Sequence, residues 1–179
     1  MHARIARYGL SRLNEMIPGL RTDPPDGGWP TVLLPDVDTQ LRYNGQFGGT
    51  GASIIAGGSY RSHPIGHLAI PVWDRSEIDA AFAHELVHAI LSPRRVPTWI
   101  QEGIACEVET RLGSRSHPFR DIRTLNDSLR YWRSHEASEF WNGRAFGHPD
   151  SATHTYLLAQ IIAGRWTRDA PGHGAVVLA

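Results

Sequence analysis

The chain has 179 residues, the length of a single domain, with 41% hydrophobic and 20% charged side chains, an ordinary globular composition with enough apolar content for a core. Its 18 basic and 18 acidic residues cancel, so no bulk field draws it to nucleic acid or to an anionic membrane. One cysteine, Cys106, excludes an intrachain disulfide framework and a cysteine-based zinc knuckle, and no apolar run approaches the ~20 residues that would span a bilayer.

The first residues carry early arginines without a continuous apolar stretch behind them, so they do not read as a secretory signal, and a cytoplasmic location is expected. Ile5, Leu10, Leu13, Ile17 and Leu20 are spaced like one face of an amphipathic helix ended by Pro18-Gly19. Residues 21–30, with Asp-Pro-Pro-Asp-Gly-Gly, form a turn-rich connector. From 31 to 72 the text changes to short apolar runs at 32–34, 40–43, 52–56 and 67–72. Asn44-Gly45, Gly48-Gly49 and Gly57-Gly58 punctuate them as hairpin turns would. A small antiparallel or mixed sheet is expected there.

Helical patterning follows. Asp74 or Ser76 can cap a helix, with Glu77 or Asp79 in the capping-box position, and Ile78, Ala81, Phe82, Leu86 and Ala89 give it an apolar face before Ser92-Pro93 stops it. A second helix is expected from Thr98, with Gln101 at its third position, to near Gly113, and further helices at 122–133 and 150–163. Strands first and helices afterwards imply one α+β domain: helix and linker over 1–30, sheet over 31–72, and helices carrying the chemistry over 73–179.

The chemistry is concentrated in His84-Glu-Leu-Val-His88. Positions four apart on a helix share a face about 6 Å apart, so both imidazoles can bind one tetrahedral ion. Glu85, rotated about 100° from His84, cannot join them as a ligand but can reach a water on that ion and take its proton. A catalytic zinc needs a third protein ligand and an open position. Pro93 and Pro97 make a short connection that can fold the next helix back, bringing Glu102 to the metal, with Glu107 and Glu109 as competing acids on the same helix.

With Trp99-Ile-Gln-Glu-Gly-Ile-Ala105 following, the chain resembles the gluzincins, in particular the compact peptidase MA-like group, in which a Trp-x-x-Glu-Gly-x-Ala helix supplies the third ligand. The resemblance covers about residues 67–107. It implies a zincin-like α+β fold, Zn2+ held by His84, His88 and Glu102, and hydrolysis of a peptide or protein substrate with Glu85 as the catalytic base. It further implies a substrate bound along a sheet edge, for which residues 67–72 are the expected strand. A late oxyanion donor is implied as well, with Tyr156 in Tyr156-Leu-Leu-Ala159 as the candidate and His154 as its neighbouring alternative. Leu91 and Arg94 stand where a metzincin requires Gly and His. Gly51-Ala52-Ser53 lacks the glutamate with which zinc aminopeptidases hold a substrate amino terminus. Cys106 stands one turn after Glu102, where thermolysin-like enzymes carry an acid that orients a histidine.

Several residues are expected to play structural parts. Trp99 reads as core, Cys106 as a small buried hydrophobe, and His63, His67, His117, His135, His148 and His173 as structural or surface histidines. Arg94, Arg95, Arg111 and Arg115 read as a solvated cluster on the loop side. A monomer is expected. The competing function is a zinc-binding interaction or scaffold domain that performs no catalysis.

Overall fold

The computed structural model describes residues 2–20, 22, 28–46, 58–62, 65–72, 77–112 and 121–169. Helix α1 (His2–Met16) presents Leu13 and Met16 to the core, Ile17 is buried just after it, and Gly19, at φ 82°, turns the chain as the Pro-Gly pair predicts. Strand β1 (Thr31–Leu34) follows, then α2 (Val37–Gln46). The run at 40–43, expected as a strand, lies inside α2, and Asn44-Gly45 belongs to its last turns instead of to a hairpin. The physical reason is local: the Asp36 carboxylate accepts from the Thr39 backbone N–H at 2.7 Å, a side-chain cap that starts the helix, and Gln40 and Asn44, four apart, make its buried stripe. The strand expected at 52–56 and the turn at Gly48-Gly49 lie outside the described residues.

Strands β2 (Ser59–Arg61) and β3 (His67–Pro71) complete a mixed three-stranded sheet of order β1-β3-β2. β1 runs parallel to β3, with Thr31 beside Leu68 and Leu34 beside Pro71. β2 is antiparallel to β3, with Ser59 beside Ala69 and Arg61 beside His67. The 67–72 run is therefore the central strand, not the edge expected of it. Its content explains why: Leu68, Ala69 and Ile70 are at most 1% exposed, an apolar run of the kind that fills a sheet's interior. Among the described strands the edges are β1 and β2.

The second half is helical, giving a mixed α+β domain: α3 (Ile78–Leu91), α4 (Thr98–Arg111), α5 (Ile122–Ser134), α6 (Ala137–Trp141) and α7 (Pro149–Asp169). No helix among the described residues is long and apolar enough to cross a membrane. The N-cap of α3 is Glu77, without a side-chain capping bond; Asp74 and Ser76, expected as caps, lie outside the described residues. Helix α4 starts at Thr98, as expected, with Pro97 as its cap, and Gln101 donates to the Val96 carbonyl at 2.6 Å. The short helix α6 carried no periodic signal long enough to be read.

α3 is the organising element. Ala80, Ala81, Ala83 and Ala89 leave it slim enough to be covered on several sides, by the sheet, by α1 and by α4. Leu68 and Ile70 pack with Ala81 and Ala89, while Leu86, Val87 and Ile90 join Leu13, Ile17, Ile100 and Ile104 in the larger core cluster. α4 in turn lies against α7, which also carries α5.

Candidate metal centre

The reversal between α3 and α4 is built from breakers. Pro93 tightens the chain into a 3-10 turn over Ser92–Arg94, Arg95 adopts a left-handed φ of 51°, and Pro97 caps the next helix. The Arg94 guanidinium donates to the Ile90 carbonyl and closes the end of α3, while Val96 is tucked into the core at 6% exposure. The two helices are thereby held antiparallel and in contact, with the His84 and His88 face of α3 turned to Glu102 on α4.

At that contact, Nε2 of His84 and Nε2 of His88 each lie 3.4 Å from the same oxygen, Oε2 of Glu102. The two rings are 5.0 Å apart between centroids, and one donor atom from each of the three residues falls within 4.8 Å of the others. Glu102 Oε2 is buried and, apart from these two long imidazole contacts, has no hydrogen-bond partner among the described residues. A buried anionic oxygen left unbonded is costly unless a cation satisfies it, and two nitrogens plus one oxygen form the donor set that zinc takes in open, three-ligand sites. The residues present therefore fit a divalent metal.

The electrostatics fit as well. Burial alone disfavours the His84 imidazolium, but hydrogen bonds to Glu102 and Glu109 outweigh it and hold its pKa well above the ordinary histidine value. His88 shows the same balance, with burial opposed by the Glu102 charge, and its pKa is also raised. Burial pushes Glu102 up, yet the adjacent histidines win and depress it strongly. Without a metal the two rings and the acid are thus bound to one another through protons that a cation would displace.

Glu85, next to His84 on α3, stands within the charges of His84, His88 and Glu102 and also meets the sheet at Gly58. It is 4% exposed, and burial raises its pKa against the lowering effect of the two histidines and of the Tyr60 backbone N–H. Gly58 is what admits it: a Cβ there would stand 2.9 Å from Glu85 Cγ and 3.0 Å from the Ala69 carbonyl oxygen. The edge strand beside the base is therefore β2.

Tyr156 enters from α7. Its ring meets Phe146 edge-on at 5.2 Å, and its hydroxyl makes no hydrogen bond among the described residues. The Glu102 charge first, then burial, pushes its pKa well above the ordinary tyrosine value, so the group stays a protonated donor. The structure brings Tyr156 into the electrostatic neighbourhood of Glu102 and Glu85 and does not bring its neighbour: His154 bonds Ser128 Oγ through Nδ1 at 2.9 Å and stacks on Tyr131, towards α5.

The remaining acids divide cleanly. Glu107 receives Gln160 Nε2 at 3.2 Å and Arg111 at 3.1 Å, away from the histidines, whereas Glu109 Oε2 lies 2.9 Å from His84 Nδ1. Glu109 is the site residue that the sequence placed only among competitors. The legible signal was its spacing, seven residues or two turns beyond Glu102 on one helix face. Cys106 is 2% exposed with its thiol pKa pushed up by burial, the inert hydrophobe expected. Trp99 packs against the core and against Phe140 and Trp141. His67 bonds Tyr43 and the Ile65 carbonyl, His135 stacks on Tyr131, and His148 is largely exposed. His63, His117 and His173 lie outside the described residues. The arginines do not form one cluster: Arg94 and Arg95 precede α4 and Arg111 ends it, about 20 Å away along the helix. Arg115 lies outside the described residues.

Comparison of the chain with protein-family models, with curated proteins and with solved structures gives no match. The functional argument accordingly stands on the geometry above.

Proposed function

We propose that this chain is a zincin-like, zinc-dependent hydrolase of peptide bonds. The observation that carries the reading is the convergence of two imidazole Nε2 atoms on one buried, unbonded carboxylate oxygen. A base with a raised pKa lies one residue from the first histidine. Bound by His84, His88 and Glu102, zinc would supply Lewis acidity, acidifying a water and polarising a substrate carbonyl.

The chain's own groups do the rest. Glu85, its pKa raised by burial, takes the proton of the attacking water on its carboxylate and passes it to the leaving amine. Tyr156, a protonated hydroxyl beside Glu102, donates to the oxygen on which charge develops. The β2 edge, next to Glu85, is where an extended peptide adds as a further strand. A peptide or protein is thus the proposed partner, and no feature of the described surface calls for nucleic acid.

The test is metal content with turnover. Protein purified without added zinc should hold close to one zinc per chain by mass spectrometry, Glu102→Ala should lose most of it, and Glu85→Gln should keep it while abolishing cleavage of a broad peptide library. Undiminished hydrolysis by Glu85→Gln would sink the mechanism. Bound zinc in wild type with no cleavage of any peptide would favour the scaffold function instead.

A further inference from the structure

His84 is held at both ring nitrogens. Nε2 points to Glu102 Oε2 at 3.4 Å, and Nδ1 to Glu109 Oε2 at 2.9 Å, an ordinary N–H···O length. The helix that provides Glu102 carries no acid one turn later, since that place belongs to Cys106, 2% exposed and unable to accept a strong hydrogen bond. One further turn on, Glu109 returns to the same face, with its side chain 16% exposed. Its rival on α4, Glu107, is occupied by Gln160 and Arg111.

We propose that Glu109 is the positioning residue of the metal centre: it accepts the Nδ1–H of His84, fixes that tautomer, and so aims the Nε2 lone pair at the cation shared with His88 and Glu102. The inference rests on the metal-binding reading above. It follows from the two-sidedness of imidazole: the hydrogen bond at one nitrogen decides which nitrogen is free to ligate, and a carboxylate there also makes the ligand more basic. The same atoms offer a competing use, because His84 Nδ1, Cys106 Sγ and a Glu109 oxygen also lie within 4.8 Å of one another. The two uses exclude each other, since Nδ1 cannot carry the proton given to Glu109 and also bind a metal.

The experiment compares zinc affinity, by competition with a chromophoric chelator, in the full wild-type chain, Glu109→Ala and Glu109→Gln. Glu109→Ala should bind zinc ten- to a hundredfold more weakly, the range for outer-sphere partners of ligating histidines. The near-isosteric Glu109→Gln, whose amide oxygen still accepts the Nδ1–H, should fall between the two, and it serves as the readout if the alanine variant unfolds. In the zinc-loaded wild type, nitrogen-15 NMR should show a slowly exchanging His84 Nδ1–H that disappears in Glu109→Ala. Zinc affinity within about twofold of wild type in both variants overturns the inference and leaves the metal site standing. A thiolate charge-transfer band in the cobalt-loaded protein, lost in Cys106→Ala, also overturns it, by showing the Cys106 side to be the ligand set. A wild type that binds no zinc at all overturns both readings.

Discussion

Glu85 and Tyr156 show how single groups acquire a chemistry their sequence neighbours lack. Both sit among apolar or anionic surroundings that hold a proton more tightly than water would, one as an acid whose burial raises its pKa, the other as a phenol kept neutral by Glu102 and by burial. If Tyr156 supplies the oxyanion donor, Tyr156→Phe removes one hydrogen bond made chiefly in the transition state. The variant should then lose about a hundredfold in kcat with KM little changed. Steady-state kinetics on the best library peptide decide it, and a kcat within about twofold of wild type would reduce Tyr156 to a packing partner of Phe146. Gly58 belongs to the same scale. Its missing side chain lets β2 approach Glu85, a requirement that no local pattern around Gly57-Gly58 advertises beyond a turn.

At the scale of elements, the decisive contact is α4 against α7. Gly103, the residue after Glu102, has no room for a methyl group: a Cβ would stand 2.3 Å from the Ala159 carbonyl oxygen and 2.8 Å from Ala163 Cβ. Ala159 and Ala163 are themselves fully buried. The glycine in Glu-Gly-x-Ala is thus explained by helix packing and not by any turn. Alanine has the better helix propensity by about 0.8–1 kcal/mol, but forcing the two backbones apart costs about 1–3 kcal/mol or more. Gly103→Ala is therefore expected to be destabilising on balance, lowering the urea midpoint without a change in slope, and to weaken zinc binding because Glu102 moves with its helix. A raised midpoint with unaltered metal affinity would show that α7 yields at no cost.

For the whole molecule, a metal bound as proposed by α3 and α4 would tie together the two helices around which the sheet, α1 and α7 are arranged. At free zinc a hundredfold above Kd the folded state gains about 2.7 kcal/mol, which in a chain of this size is about 5–10 °C in Tm. Chelation should remove that increment, and the increment should shrink as pH falls. The sign follows from the directions of the shifts. His84 and His88 have raised pKa values in the metal-free fold, so their protonated network contributes its full stability below about 6.5 and loses it as pH rises through the raised values. Glu102 is depressed, so its contribution is present above about 4.3 and is lost as pH falls towards its folded value. Protons and zinc compete for the same nitrogens, and zinc gains as pH rises. Thermal scans with and without chelator between about pH 5.5 and 7.5, one unit either side of the ordinary histidine pKa, test this. An increment that does not vary with pH would mean that the histidines are not the ligands.

What the sequence determined by itself was everything written in short-range spacing. The four-residue interval of His84 and His88, the breakers Pro93 and Pro97, and the periodic apolar faces of α1 and α3 were legible because one helix turn or one fixed φ enforces them. So was the α+β class, since a block of short apolar runs precedes a block of helical ones. The tertiary structure alone decided what depends on neighbours distant along the chain. On the helix that Asp36 starts locally, residues 40–43 were kept helical because Gln40 and Asn44 found buried places against the rest of the fold. β3 became the central strand because β1 and β2 pair on its two sides. Glu109 shares Glu102's face of α4 and meets His84, while Glu107 meets Gln160 of α7. Spacing tells which acids share a helix face, but which partner that face meets is fixed only when the helices pack.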